Sequence, residues 1–342
     1  AEDSESNTVS SFDADGFTMG SQQAVNDNGN TYVAYCWKAN GGTTSSNTDG
    51  SITSTVQANT KAAFSVVSYT GNAVSGATIG HGLGVEPDIV IAKNLNLSTQ
   101  SWNTYVKNVT TTNAQFLTLN TADANGNTAN PRFIPGNFSS SVFSVGNDNS
   151  TNGVSGVDTY IAYCFASVAG YSSIGTYTGN GSTNGPIVNT GFEPAFLMTK
   201  QTNTTSNWVI VDNKRSTTNP RNKGLRPNTD DTESTVGDNM VVDFLTNGFQ
   251  LKQTSGANDN GGTFLYIAFG SDASAAPALA DSFANKLWTG NDGTNAISGL
   301  GFQPSFVWIK RRVSGSESHA LYDMLRGINE QLSSDSTAAQ IL

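Results

Sequence analysis

The sequence predicts a mainly β protein. It reads as tandem modules of β-sandwich or jelly-roll type with a pseudo-repeat of about 110 residues, one module being split between the N- and C-termini. Three observations predict this. First, one phrase occurs three times: Tyr69-Thr-Gly-Asn72 leads to Gly84–Lys93, Tyr177-Thr-Gly-Asn180 to Gly191–Lys200, and Trp288-Thr-Gly-Asn291 to Gly301–Lys310, at spacings of 108 and 111 residues. Second, short runs rich in β-branched and aromatic residues recur roughly every ten residues between Gly and Asn turns. Third, helical periodicity is nearly absent; Tyr322–Leu332 has room for one or two helical turns.

Taken in order, residues 1–38 carry the closing half of a module. They hold a short apolar segment, Gly16–Met19, then the turn Asn26-Asp-Asn-Gly29, then the strand Thr31–Trp37. Residues 39–68 form a connection with two extra strands, Ser51–Val56 and Ala63–Val67. Module one covers 69–166. Its hairpin pairs Asp88–Ala92 with Trp102–Val106, and it closes on Val142–Val145, the turn Asn147-Asp-Asn149 and the strand Tyr160–Phe165. Module two covers 177–270, with the hairpin Phe196–Met198 and Asn207–Val211, then Gly248–Leu251, Asn258-Asp-Asn-Gly261 and Tyr266–Phe269. An Ala/Ser-rich linker, 271–287, leads to 288–342, the opening half of a module with its own hairpin, Ser305–Ile309 and His319–Tyr322.

The two orphan pieces hold 55 and 38 residues and together match one complete module. Half a β-module can neither bury its apolar face nor pair its edge strand. The pieces therefore close within one chain, or between chains as a head-to-tail polymer, unless the chain is a slice of a longer array. The complementary core is expected from Phe12, Phe17, Tyr32, Tyr35 and Trp37 on one piece and Trp288, Phe306, Trp308, Leu321 and Tyr322 on the other.

Charged residues make up 13% of the chain and its net charge is −10, which argues against nucleic-acid binding; Lys310-Arg-Arg312 is the one basic cluster, read as a strand end. No apolar run is long enough for membrane insertion. The chain opens on Ala-Glu-Asp-Ser-Glu-Ser, which leads us to expect trimming from a longer precursor. Cys36 and Cys164 hold equivalent places in different modules and are expected as separate buried thiols.

A catalytic centre would break the repeat, and nothing does so convincingly. His81 and His319 are expected in turn or surface roles. Glu86 and Glu193 are matched by Gln303, a change a general acid would not survive; all three are expected to accept a local turn hydrogen bond. Asp13, Asp15, Asp27, Asp148 and Asp259 are weak calcium candidates, because their turns are short and lack the twelve-residue loop; tight-turn chemistry explains them equally well. Trp102, Trp208 and Trp308 are candidate sugar platforms, although their strand positions favour core packing. Neither a cofactor nor a catalytic residue is expected.

Trp37-Lys-Ala-Asn-Gly-Gly42, Ser46–Ser54, Gly80-His-Gly-Leu-Gly84, Gly175–Asn180, Leu287–Asn291 and His319–Asp323 resemble a family of uncharacterised repeat modules in virion proteins of marine tailed bacteriophages. The resemblance implies a tail-fibre or other structural protein in a virion or extracellular location, with homo-oligomeric or other virion partners and no established catalytic residues. In that family the Trp-Thr-Gly-Asn segment normally precedes the Phe-Asp-x-Asp-Gly-Phe segment, here Phe12–Phe17; this chain has them in the opposite order. The alternative expectation is a lectin-like adhesin for host-surface glycans.

Overall fold

The computed structural model describes residues 7–40, 42–153, 156–234, 240–270, 282–313 and 315–340. The first strands are β1 Val9–Asp13, β2 Gly16–Met19, β3 Thr31–Trp37, β4 Ser45–Asn47, β5 Ser54–Asn59, β6 Phe64–Thr70, β7 Ala77–Gly80, β8 Ile89–Asn94 and β9 Asn103–Val106. There follow β10 Gln115–Thr118, β11 Gly126–Asn127, β12 Val142–Val145, β13 Thr159–Phe165, β14 Ser172–Thr178, β15 Ile187–Asn189, β16 Pro194–Gln201 and β17 Val209–Asp212. The last are β18 Val242–Leu245, β19 Gly248–Leu251, β20 Thr263–Gly270, β21 Phe283–Thr289, β22 Asn295–Ser298, β23 Phe306–Arg311, β24 Ala320–Asp323 and β25 Leu332–Ser333. Two one-turn helices, α1 Gln23–Asn26 and α2 Asn149–Asn152, interrupt them.

The strands form three equivalent sheets. Module one is ordered β11-β10-β9-β8-β13-β6-β5-β4, module two β14-β20-β16-β17, and the divided module β21-β3-β23-β24-β25. In each, the closing-phrase strand (β13, β20 or β3) lies between the first strand and the lysine-ended strand. The divided module is assembled within one chain. β3 from the N-terminal piece pairs antiparallel with both β21 and β23, and β2 pairs with β22. A small second sheet covers each large one: β7 with β12, β15-β19-β18, and β1-β2-β22.

The central strands are apolar throughout because both of their faces are buried. Tyr32, Ala34 and Cys36 face a core inside the divided module, while Val33, Tyr35 and Trp37 face a core shared by all three modules. β13 divides in the same way, with Tyr160, Ala162 and Cys164 inward and Ile161, Tyr163 and Phe165 toward the shared core. So does β20, with Phe264, Tyr266 and Ala268 inward and Leu265, Ile267 and Phe269 shared. Alternation is thus present in the contacts but hidden in the composition. The equivalent rings of Trp37, Phe165 and Phe269 touch in a closed triangle, with centroids 6.0, 5.7 and 5.5 Å apart, on a pseudo-threefold axis. The gap left on that axis, about 20 Å³ and lined by apolar side chains, has room for one water at most.

Several sequence expectations change. Tyr322–Leu332 is not helical: the Asp323 carboxylate accepts N–H bonds from Leu325 and Arg326, which closes a turn between β24 and β25. The apolar run from Ala63 is not an extra strand in a connection. It is the start of β6, which runs through Tyr69 and opens module one. The linker 271–287 lies outside the described residues as far as 281, and from Phe283 the chain is already strand, in register with β3. Cys36 and Cys164 are buried in separate cores, and burial pushes both thiols well above their ordinary range.

Candidate functional site

The polar chemistry of this chain gathers at two kinds of place, the outer end of each module and the boundaries between modules. At each outer end a fully buried asparagine holds the Thr-Gly-Asn loop. Asn152 Oδ1 accepts from Asn72 N, and its Nδ2 donates to Asn72 Oδ1, Val74 O and Gly146 O. Asn258 repeats this with Asn180 N, Asn180 Oδ1, Ser182 O and Gln253 O. Asn26 repeats it with Asn291 N, Asn291 Oδ1, Gly293 O and Gly20 O. One side chain thereby satisfies four backbone or amide groups that would otherwise be unpaired. In module one the sequence points to Asn147–Asn149, but the equivalent residue is Asn152, the last residue of α2 just as Asn26 is the last residue of α1, each at the same distance from the strand before it. Beneath each loop two aromatic rings stack: Tyr32 on Trp288, Tyr69 on Tyr160 and Tyr177 on Phe264, with centroids 5.3, 5.0 and 5.0 Å apart.

At the boundaries, each lysine ending the repeated phrase reaches into the next module. Lys93 Nζ donates to Asn94 O at 2.7 Å and to Thr337 O of the divided module at 3.2 Å. Lys200 donates to Ser206 O at 2.7 Å and to Ala122 O of module one at 3.1 Å. Lys310 donates to Glu317 O and, at 2.9 Å, to Asp230 O of module two. The three contacts close a ring. Burial lowers each ammonium from an ordinary value of 10.5 to about 8. Trp102 Nε1 donates to Ser333 O and Trp208 Nε1 to Thr118 O across the same boundaries. At the third equivalent position stands His319, whose Nδ1 accepts from Trp308 Nε1 at 2.9 Å. Burial holds the His319 imidazole well below its ordinary range.

Two boundaries carry a buried ionic lock. The Tyr163 hydroxyl donates to Asp323 Oδ2 at 2.8 Å, and Arg326 Nε donates to the same oxygen at 2.6 Å. The Tyr35 hydroxyl donates to Asp212 Oδ2 at 2.8 Å, and Arg215 Nε donates to it at 2.5 Å. The paired carboxylates raise both guanidinium groups despite their burial. Strand register makes Ile267 and Val106 the counterparts at the third boundary, where the lock is apolar.

Of the expected complementary-core residues, Phe17, Tyr32, Tyr35, Trp37, Phe306, Trp308, Leu321 and Tyr322 are buried, while Phe12 and Trp288 are half-buried against the divided module's own core. They divide between two cores: Tyr35, Trp37, Phe306, Trp308 and Leu321 line the shared one. Trp102 and Trp208 are fully buried and so offer no exposed sugar platform. His81 and His319 are buried rather than superficial, His81 Nδ1 accepting from Leu83 N.

Each of the four calcium-candidate carboxylates with a recorded side-chain contact serves a turn or an ion pair. Asp13 accepts from Ser11 and Thr18; Asp15 accepts from the N–H groups of Gly299 and Gly301; Asp27 pairs with Arg311; and Asp148 caps α2. Asp259 acts through its backbone carbonyl, which accepts from Gly262 N. Among the described residues no three His, Cys, Asp or Glu side chains converge as a metal site. The Glu86/Glu193/Gln303 set does not share one turn bond: Glu86 pairs with Lys107 at 3.3 Å, and Gln303 Nε2 donates to Phe12 O.

Two clefts lie among the described residues. One, of about 260 Å³, runs along β21 beside Lys214, Gly299 and Leu300. The other, of about 170 Å³ on module two, presents Thr199, Gln201, Asn207 and Arg226 around Phe264. A family model described as a domain of unknown function (DUF7483) matches residues 1–272 and 278–342. No curated protein and no solved structure matches the chain.

Proposed function

The chain belongs to the DUF7483 family, and we propose that it is a non-catalytic structural subunit of a virion or extracellular fibre. The observation that carries this is the ring of boundaries. The three equivalent lysines, both tryptophan indoles at module boundaries and both Tyr–Asp–Arg locks are committed to holding modules together. A catalytic carboxylate or imidazole needs an approach for substrate, and these groups are buried against other modules. The phage-module resemblance of the repeated phrases and the low charge content point the same way. Negative-stain imaging of the native source, with antibody labelling of this chain, tests the reading. Labelled particles or fibres are the expected result, and a freely soluble pool with no labelled assembly overturns it.

The cleft on module two favours a second reading, a glycan-binding surface. Neutral amides, a hydroxyl and Arg226 line it, and these groups suit the hydroxyls of a sugar better than an apolar ligand. A glycan array probed with the native chain and with Gln201→Ala tests it. Spots lost on substitution support an adhesin, and a blank array with the native chain removes this reading.

A further inference from the structure

We infer that the β21 edge of the divided module is an acceptor for one extended, acidic strand of another polypeptide. The internal repeat supplies the argument. Each module has a first strand at the same place: β6, β14 and β21, equivalent through their pairing with β13, β20 and β3. Beyond that strand lies the open side of the sandwich, and the three modules treat it differently.

Module one closes it with an extra strand. β5 pairs antiparallel with β6 from Phe64 to Tyr69, places Val56 opposite Val67, and ties itself to the second sheet through Ser54 Oγ, which donates to Gly80 O at 2.7 Å. Module two leaves β14 as a sheet edge but fills the space beside it from inside. Tyr266 stands in register opposite Gly175, where Ala162 faces Val67 in module one, and its hydroxyl lies 3.0 Å from Ser173 Oγ over the edge. A side chain at Gly175 would meet that ring, so the pair is matched in size.

The divided module has neither device. Its counterpart of Tyr266 is Ala34, and the partner of Ala34 is Lys286. Among the described residues no strand lies outside β21. The gap that β5 fills in module one is here the cleft of about 260 Å³ between β21 and Gly299–Leu300. An unpaired edge at the mouth of a groove is the geometry of strand addition, in which main-chain bonds give affinity and side-chain positions give selectivity.

The chemistry of the occupant follows from the register. Position 56 of module one is a valine because it faces Val67. The equivalent of Val67 in the divided module is Lys286, and Lys214 also lines the cleft. No carboxylate among the described residues is within ion-pairing distance of Lys286. Asp15 is the carboxylate whose charge it feels, and both Asp15 oxygens accept backbone N–H bonds from Gly299 and Gly301. The strand that fits carries Asp or Glu where β5 carries Val56. The inference stands on the repeat, the cleft and its lysines and does not rest on the particle reading.

The test uses a fluorescein-labelled peptide of residues 45–59 bearing Val56→Glu, titrated with the full chain and read by anisotropy. Saturable binding is expected, about tenfold tighter than for the unchanged peptide, with new hydrogen-exchange protection across Phe283–Thr289. Both Lys286→Glu and Lys286→Met, the latter keeping the aliphatic stem, are expected to lose that tenfold while melting like the native chain. Four results overturn the inference. They are no saturation up to about 1 mM peptide, equal binding by both variants, displacement by free glutamate (a small-anion site), and self-association of the native chain that Lys286→Glu abolishes (a second copy as occupant).

Discussion

Tyr163 and Asp323 lie 160 residues apart and share a 2.8 Å hydrogen bond at the buried boundary between module one and the divided module. Tyr163→Phe removes the donor and leaves Asp323 with Arg326 and two N–H groups. We expect a loss of about 1–3 kcal/mol in urea unfolding. Asp323→Ala strands the Arg326 guanidinium in the interior, and about 3–5 kcal/mol is expected from the same measurement.

The buried asparagines predict a matched set. Asn152→Ala, Asn258→Ala and Asn26→Ala each orphan several groups around a Thr-Gly-Asn loop, at about 1–3 kcal/mol per unsatisfied group. Hydrogen exchange is expected to quicken only in the loop facing the altered residue: 71–74, 179–182 or 290–293.

Alkaline pH has two opposed effects. Lys93, Lys200 and Lys310 titrate at about 8 in the folded chain and near 10.5 when unfolded. Between those values the unfolded state holds more protons, so stability rises with pH from about 8 toward 10. The tyrosines run the other way. Burial raises Tyr32 to about 12 and holds Tyr35, Tyr69, Tyr163 and Tyr177 well above their ordinary value of 10.0, so above that value the unfolded state loses protons that the fold keeps, and stability falls. Unfolding free energy against pH is expected to peak near the crossing, and Lys200→Met to shallow the rising limb by about a third, being one of the three lysines.

The thiols give a simple check on packing. Native protein is expected not to react with Ellman's reagent, and guanidinium-unfolded protein to release two equivalents for Cys36 and Cys164.

Deleting residues 1–38 removes β3, the strand on which both β21 and β23 depend. The near-ultraviolet signal of Trp288 and Trp308 is expected to collapse, and a peptide of residues 1–38 added in trans to restore it.

The repeated phrases made the β architecture legible, because they align strands without any need to read their period. They also paired the two termini. What they hid has physical causes. Strands buried on both faces, such as β13, show no alternation, so the existence of a shared core could not be read from composition. The role of the phrase-ending lysines was visible only as an oddity: Lys93, Lys200 and Lys310 close apolar strands in a chain with 17 Lys and Arg in all. Asn152 was missed because the Asn-Asp-Asn run at 147–149, which imitates the turn of the other modules, stands at the start of α2, whereas the loop-holding asparagine is its last residue. The stretch after Tyr322 left room for a helical turn in the sequence, and Asp323 and Arg326, an i, i+3 ion pair, stand instead in a turn between strands.

The two Tyr–Asp boundaries and the one apolar boundary act as addresses on otherwise similar building blocks. If the modules circulated in the opposite sense, Tyr163 would find Asp212, but Tyr35 would face Val106, and the Asp323–Arg326 pair would lie against Ile267 with no hydroxyl to meet it. A protein grown by tandem duplication risks its copies docking in the wrong cyclic sequence. Here the unequal seams leave one arrangement in which both buried Asp–Arg pairs meet a tyrosine hydroxyl.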